Sequence, residues 1–325
     1  MQHPFPVFFW VFLFRRKNER SIESKCNKML NFQDLPDELI LKILSYQRTK
    51  ELISCGQVSK RIRKISHDST LWVTANLEKK IVNTELLEMI LNKGCKNLNI
   101  SNSTIVGRFS LNIKSQLRVL DLSQSAWGFP THDLSNARFV GKLYYVENHG
   151  GFEDLLFSCC SLQRLEMEGL YVTSAMGVSI CKNSETLQVL NLKHCSVSVP
   201  NNVFQSIIKC CQELRELDLN YINGHYGLTD DNLEFLAENI APTVEKLNLC
   251  NQKVQNDHVK MLLGRCNKIK VLFLDTIFLS TDSLKTMRKY LNLTLEELSH
   301  IGNMTYGQSK ELRQFNIYKM HSNFN

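Results

Sequence analysis

The sequence lacks the short motifs through which many enzymes hold a metal or a phosphate group. None of its eleven cysteines is spaced C-x-x-C, and neither H-E-x-x-H nor a glycine-rich phosphate loop is present. An odd number of cysteines without paired spacing argues against a disulfide framework and against structural zinc, and it indicates reduced thiols in the cytoplasm or nucleus. We therefore expect no cofactor, no metal and no catalytic residue, and a cytoplasmic or nuclear location.

A concentrated basic face is also missing. The formal net charge is +7, and residues 1–28 carry six basic and two acidic side chains, which accounts for +4 of it. The remaining +3 is scattered over the rest of the chain, whereas a nucleic-acid-binding surface needs a concentrated basic stripe. We expect no nucleic-acid partner.

No apolar run is long enough to span a membrane. The longest, PFPVFFWVFLF at residues 4–14, has eleven residues, and a spanning helix needs about 20. Its basic residues follow the apolar run and no small-x-small cleavage site is present, which argues against a signal peptide. Two interpretations stay open: a membrane-surface tether, or an extension outside the native fold with Met29 as the true start. We favour the second, so residues 1–30 are set apart from the core and no membrane partner is expected.

What the sequence does contain is a repeat of the form L-x-x-L-x-L. Copies begin at Leu117, Leu162, Leu187, Leu214, Val244 and Ile269, and weaker ones lie at 95–100, 295–300 and 312–317. Between Leu117 and Leu295, successive copies start 25 to 30 residues apart except for one gap of 45 residues. VGKLYY at residues 140–145 is expected to fill that gap, with Leu143 at its centre. About eight or nine units result.

The repeat predicts one strand and one helix per unit. Alternate residues of a strand point to opposite faces, so the leucines enter a core and the residues between them face outward. In LTDDNLEFLAENI (228–240), Thr229 or Asp230 is expected to cap a helix with apolar residues at helical spacing. Stacked units predict an α/β right-handed solenoid over residues 77–300, with a curved parallel sheet on the concave face and helices on the convex face. Residues 301–325 are interpreted as a C-terminal capping segment.

The L-x-x-L-x-L strands, the LTDxxLxxLA-like helix and the cysteine before the next strand resemble the cysteine-containing leucine-rich repeats. That resemblance covers roughly residues 77–300 and implies a binding surface rather than chemistry.

Residues 31–76 differ in composition from the repeats. FQDLPDELILKILSY (32–46) places Pro36 at a first helical position, acidic residues in the first turn and an apolar stripe after them. Two further apolar groups predict two more short helices. A bundle this small is marginal alone, so we expect something else to cover part of its apolar surface.

LPDELILKILSY, LISCGQVSK and the later Leu71-Trp72 closely resemble the F-box, although Gln47 and Glu51 depart from its usual pattern. The resemblance implies a Skp-type adaptor as partner and, through it, a cullin scaffold. The residues expected to contact the adaptor are Leu35, Pro36, Glu38, Leu39, Ile43, Leu44, Leu52, Cys55 and Val58. Leu39, Ile43 and Trp72 could instead be mainly internal. The S-phase kinase-associated group of F-box proteins is the most similar, and in some of its members the C-terminal segment folds back over the concave face.

The concave face is predicted to be acidic. At the third, fifth and seventh positions of the seven repeats that start between Leu117 and Leu295, seven residues are acidic and three are basic. Such a face attracts a basic segment of a protein partner, although ordinary solvated charge explains the same pattern. The candidate substrate-binding residues are Glu166, Glu168, Asp218, Phe273 and Asp275.

Together these resemblances imply a non-enzymatic substrate-recognition subunit of a cullin-based (SCF) ubiquitin ligase. Two alternatives are a non-ligase scaffold or inhibitor built on the repeats, and a membrane-tethered regulator that uses residues 4–17.

Overall fold

The computed structural model describes residues 32–322, apart from residue 111 and the segments 129–149, 198–199, 225–226, 276–278, 292–296, 301–304 and 316–318. The chain forms two compact units that divide between Trp72 and Val73. The predicted N-terminal extension and the VGKLYY copy lie outside the described residues. Within the described ranges, no helix is long and apolar enough to cross a bilayer.

The first unit, which we call the helical unit, consists of short helices over its described residues 32–72. Its α-helices are α1 (Asp37–Leu44), α2 (Thr49–Cys55) and α3 (Lys60–Ser66), flanked by 3-10 turns at Phe32–Asp34 and Ser69–Trp72. Pro36 has extended backbone angles and precedes α1 by one residue, so it caps the helix instead of starting it. The three predicted helices are therefore present.

Apolar side chains from all three helices form the core of this unit. The buried residues are Ile40, Leu44, Leu52, Ile62, Ile65, Leu71 and Trp72. The indole Nε1–H of Trp72 donates to the carbonyl of Ser66 at 2.8 Å, which satisfies the ring's polar atom inside the core. Trp72 is thus internal, one of the two readings that the sequence left open for it.

The second unit, the repeat unit, is built on one parallel sheet of ten strands. In sheet order they are β1 (Thr74–Asn76), β3 (Asn97–Asn99), β5 (Val119–Asp121), β7 (Arg164–Glu166), β9 (Val189–Asn191), β11 (Glu216–Asp218), β12 (Lys246–Asn248), β13 (Val271–Leu274), β14 (Glu297–His300) and β15 (Lys319–Ser322). Two small parallel sheets consist of β2 (Ile81–Asn83), β4 (Thr104–Val106) and β6 (Ala126–Gly128), and of β8 (Tyr171–Val172) and β10 (Ser196–Val197).

A helix follows most of these strands, and from Gly150–Ser158 onward consecutive helices pack against each other. They are α4 (Thr84–Asn92), α5 (Gly150–Ser158), α6 (Ser174–Cys181), α7 (Pro200–Cys210), α8 (Asp230–Asn239), α9 (Asn256–Arg265), α10 (Thr281–Leu291) and α11 (Tyr306–Leu312). Thr229 caps α8 through its side chain, as one of the two predicted alternatives required. The predicted α/β fold of repeated strand-helix units is confirmed.

The strand register follows the leucine pattern. The central residues of neighbouring strands face each other along the sheet, as in the series Leu165, Leu190, Leu217, Leu247 and Leu272. Each of these side chains is 3% exposed or less. The residues on either side of the central one point away from the core, and we call the surface they form the open face.

The strands on either side of the 45-residue gap in the repeat pattern are neighbours in the sheet. β5 pairs directly with β7, with Val119 opposite Arg164 and Leu120 opposite Leu165. The described sheet therefore has no strand between them. The predicted VGKLYY copy centred on Leu143 lies outside the described residues.

The ends of the repeat unit differ from the expected boundaries. β1 already pairs with β3, so the sheet begins at Thr74 and the helical unit ends at Trp72, a few residues before the expected boundary at 76. At the other end α11 and β15 add a helix and a strand within the predicted capping segment. A further strand lies at Lys319–Ser322, just after the weak copy at 312–317, whose residues 316–317 lie outside the described ranges.

A left-handed turn follows most strands at the same place, two residues past the last buried apolar residue of the repeat pattern. Non-glycine residues with φ between 54° and 63° occupy it at Lys79, Asn102, Gln124, His194, Tyr221 and Asn251, and Gly169 holds the same position. In most repeats its backbone N–H donates to a carbonyl of the next repeat, as from His194 to Asn220 at 2.8 Å. The next residue often donates through its side chain to the preceding repeat, as Cys195 does to the carbonyl of Met167 at 3.0 Å.

Asn183 ties the turn after α6 to the neighbouring repeat. This side chain is 2% exposed; its Oδ1 accepts from the N–H of Leu162 at 2.9 Å, and its Nδ2 donates to the carbonyls of Ser179 and Cys159 at 3.0 and 3.3 Å.

We predict that Asn183→Ala lowers the free energy of unfolding by about 2–3 kcal/mol, because it leaves buried backbone groups without partners. Urea denaturation followed by circular dichroism measures the shift in midpoint. Asn202→Ala, an exposed position on α7, is the control and should change stability by no more than about 0.5 kcal/mol. Equal midpoints for the two variants would contradict the role given to Asn183.

Candidate partner-binding surfaces

Helix α1 carries apolar side chains on two faces. Ile40 and Leu44 point into the bundle and are 0% and 3% exposed, whereas Leu39 and Ile43 are 51% and 40% exposed. Tyr46, just past the end of the helix, is 73% exposed. A surface helix normally has one apolar face, so a second one indicates a surface that is covered in the functional state.

Leu39, Ile43 and Tyr46 form what we call the apolar stripe. Spacings of four and three residues place successive members on one side of a helical turn. The Nζ of Lys42 lies 5.3 Å from the centre of the Tyr46 ring, a cation–π distance. Val58, in the connection before α3, adds another apolar side chain that is 51% exposed.

Arg61 fixes the start of α1 and hence the position of the stripe. Its guanidinium donates to Asp37 Oδ1 at 2.5 and 2.8 Å and to the carbonyl of Leu35 at 2.6 Å. Asp37 is half exposed, so the ion pair itself contributes little. The added bond to the Leu35 carbonyl is what joins α3 to the chain entering α1.

Of the nine predicted adaptor contacts, seven are exposed or partly buried and two belong to the core. Pro36, Glu38, Leu39, Ile43 and Val58 are exposed, and Leu35 and Cys55 are partly buried.

Leu44 and Leu52 require a correction. Each is 3% exposed and belongs to the core, so neither reaches a partner in this structure, and we assign them to supporting the stripe. Tyr46 is not among the residues predicted from the sequence to contact the adaptor; it lies seven residues after Leu39 and is 73% exposed.

On the open face of the repeat unit, the residue that follows the central buried residue of a strand is called here the middle outward position. Its side chain usually accepts a hydrogen bond from the turn after the strand. In six repeats it is Asn or Asp, and its Oδ1 accepts the backbone N–H two residues later at 2.8–3.1 Å. These residues are Asn76, Asn99, Asp121, Asn191, Asp218 and Asn248. Asp121 and Asp218 therefore have a structural function that the acidic count did not separate from substrate binding.

The remaining acidic residues of this face are largely paired. Glu166 lies 2.8 Å from Arg164, whose other nitrogen is 3.6 Å from Glu216, and Glu168 lies 3.1 Å from Lys193. Two carboxylates share one guanidinium in the first group, and Lys246 lies opposite Glu216 in the strand register. The prediction of an attractive acidic face is thereby reduced to this part of the sheet.

Asp275 differs from the exposed carboxylate that the sequence predicts. It is 8% exposed, and its Oδ2 accepts from the N–H of Asn251 at 2.9 Å, where other repeats use a backbone carbonyl. Among the described residues its Oδ1 has no hydrogen-bond partner. Burial raises the pKa of Asp275 above the usual carboxyl range. We correct its assignment from substrate contact to a buried acceptor that holds a turn.

Two neighbouring groups show the same effect of burial. The pKa of Asp218 is raised mainly by desolvation, against the opposing hydrogen bonds from Asn220 and Asn248. The pKa of the Cys250 thiol is raised to about 12, chiefly by burial and further by Asp275 and Asp218.

Phe273, the fifth candidate, is half-buried on the open face. In the described part of the chain no three His, Cys, Asp or Glu side chains cluster to hold a metal.

Comparison with known families and relatives matches both units. The family described as "SKP2 LRR domain" matches residues 144–324, and the one described as "F-box-like" matches residues 32–78. F-box/LRR-repeat protein 21 of Mus musculus and that of Bos taurus are each 24% identical to this chain, over 68% of its length and 52% of theirs. The chain thus spans about half the length of the curated relatives it matches.

Similar solved structures include a chain of the Rad7 and Elc1 complex in yeast, with a TM-score of 0.36 and 15% identity over 73% of this chain and 66% of that one. Another is the leucine-rich-repeat protein LegL7 from Legionella pneumophila, with a TM-score of 0.34 and 14% identity over 72% of this chain and 86% of that one.

We predict that Asp275→Asn raises the denaturation midpoint at pH 7. The pKa of Asp275 is higher in the folded than in the unfolded chain, so stability is greatest at low pH and falls as pH rises through the folded pKa. Asn keeps an acceptor for Asn251 and removes that loss. The difference between variant and parent should therefore shrink as the pH is lowered into the carboxyl range.

Urea denaturation at pH 7 and at about pH 4 measures this difference. Asp257→Asn is the control, because that side chain is 85% exposed and pairs only within its own helix; it should shift stability by no more than about 0.5 kcal/mol. A destabilised Asp275→Asn variant at pH 7 would show that the carboxylate is held ionised by favourable contacts.

Proposed function

The chain is an F-box/leucine-rich-repeat protein that belongs to the SKP2 LRR domain family, and from this premise we propose that it is a substrate-recognition subunit of a cullin-based SCF ubiquitin ligase. The helical unit binds a Skp-type adaptor, and through it a cullin scaffold, while the open face of the repeat unit binds a protein substrate. F-box/LRR proteins typically act as adaptors, so the recruited subunits catalyse ubiquitin transfer. The chain works in the cytoplasm or nucleus.

The observation that carries this proposal is the second apolar face of α1. Leu39 and Ile43 are about half exposed although Ile40 and Leu44 of the same helix are buried in a core. Burial of apolar area is the main favourable term in association, and a few central anchors supply most of it. An adaptor groove that receives an amphipathic helix would bury the apolar stripe, and Arg61 holds α1 in place for it.

The repeat unit supports the substrate-binding half of the proposal by its geometry. Its strands bury their leucines and present the intervening residues side by side over ten strands. Such an array forms an extended surface without a catalytic centre of its own. Holding a substrate there raises the effective concentration of its lysines near the ubiquitin-conjugating enzyme that the complex recruits.

We predict that the double change Leu39→Ala, Ile43→Ala weakens binding of a purified Skp-type adaptor at least about 30-fold, because truncating buried anchors costs 2 kcal/mol or more. Isothermal titration with the full chain measures it. Circular dichroism should show an unchanged fold, since both side chains are exposed in the free protein.

Val178→Ala is the matched control: this residue is 63% exposed, but on α6 of the repeat unit. Unchanged affinity of the double variant would refute the adaptor-binding surface. Adaptor binding without recruitment of the cullin would favour a non-ligase scaffold or inhibitor over the proposed receptor.

A further inference from the structure

The open face has a regular structural requirement that β7 and β13 do not follow, among the strands whose outward side chains the structure describes. At the middle outward position, Asn or Asp accepts the N–H that opens the following turn in six repeats. A side chain engaged in this way is held against its own backbone and has little freedom to contact a partner. β7 and β13 carry Glu166 and Phe273 at this position instead.

The first exception lies in a charged group. Glu166 and Glu216 flank Arg164 at 2.8 and 3.6 Å, and the side chains of these three residues are between 20% and 41% exposed. These three side chains, two carboxylates and one guanidinium, carry one net negative charge at neutral pH, and the next cation in the register is Lys246, opposite Glu216. The group of three can therefore accept a cationic side chain from a partner, with the Coulomb gain moderated by its solvent exposure.

The second exception is apolar. Phe273 is half-buried on β13, between Asn248 of β12 and Ser299 of β14 in the register. An aromatic side chain that is only half-buried at this outward position has apolar area left to contact a partner. Aromatic residues of this kind are frequent anchors of protein interfaces.

The sheet fixes the distance between the two exceptions. β7 and β13 are separated by β9, β11 and β12, hence by four interstrand steps. At about 4.8 Å for each step, they are roughly 19 Å apart. An extended peptide advances about 3.3 Å for each residue, so residues six apart span this distance. Because side chains alternate along an extended chain, residues i and i+6 also point to the same side.

We infer that the open face binds an extended peptide segment with two anchors: a basic residue at the Glu166 group and, six residues away, an apolar or aromatic residue on Phe273. This inference rests on the proposed role of the open face as the substrate surface. It defines the substrate class by two side chains and their separation. The turn-holding Asn and Asp residues between the anchors serve as a polar floor.

The test uses synthetic fluorescent peptides that contain one Arg and one Phe in a Thr/Ser background, with the two placed four, five, six, seven or eight residues apart and in both orders. Fluorescence anisotropy with the full chain measures the affinity. We expect the peptide with a separation of six, in one order, to bind at least about fivefold more tightly than the others, since only that spacing satisfies both length and facing.

Two variants test the anchors themselves. Phe273→Ala should weaken the best peptide about tenfold, and Glu166→Lys should weaken it similarly and shift the preference to a peptide with Glu in place of Arg. Val178→Ala, on the helix side of the repeat unit, should leave the affinity unchanged. Equal affinity at all separations, or charge reversal at Glu166 without a change in preference, would overturn the inference.

Adaptor titration with the same variants separates this inference from the proposed function. Phe273→Ala and Glu166→Lys should bind the adaptor like the parent chain. If the adaptor binds and the peptides show no spacing preference, the two-anchor surface is wrong and the receptor role stands. If the spacing preference holds and no adaptor binds, the receptor role fails and the peptide surface stands.

Discussion

The repeat unit depends on one constraint: a three-residue strand cannot bury its leucines alone. Leu190 and Leu217 are each 1% exposed because neighbouring strands and helices enclose them, and no single repeat offers such a site. Backbone hydrogen bonds reinforce this dependence, since the turn after one strand donates to the next repeat. The open face results from the same constraint, because the residues between the buried leucines point outward and lie side by side in the strand register.

The helical unit solves a different problem with fewer residues. It encloses Ile40 and Leu44 but leaves Leu39 and Ile43 half exposed on the other side of the same helix. The two units therefore offer partners different kinds of surface. The helical unit presents apolar area, whereas most of the polar groups described on the open face are already paired or hydrogen-bonded.

Sequence patterns predicted what depends on local periodicity and missed what depends on neighbours. The leucine spacing predicted the strands and the α/β stack, and Thr229 marked the start of α8. The same pattern predicted a copy at VGKLYY, outside the described residues, but it could not show that the strands before and after that segment pair directly. Leu44 and Leu39 look equivalent in the sequence, and only packing shows that one is internal. The prediction that Asp275 is an exposed substrate contact needed correction for the same reason, since its burial and its hydrogen bond from Asn251 arise between repeats.

The left-handed turns have a consequence for how the repeat unit folds. Lys79, Gln124, His194 and Tyr221 all adopt φ near 55°, a region that costs non-glycine residues about 1–2 kcal/mol each. Such varied residues share no local preference for it, so the hydrogen bond to the adjoining repeat must impose the conformation. A finished repeat thus acts as a template on which the next turn closes. Cooperativity should accordingly extend along the array, with each unit gaining its final backbone shape only after its neighbour is in place.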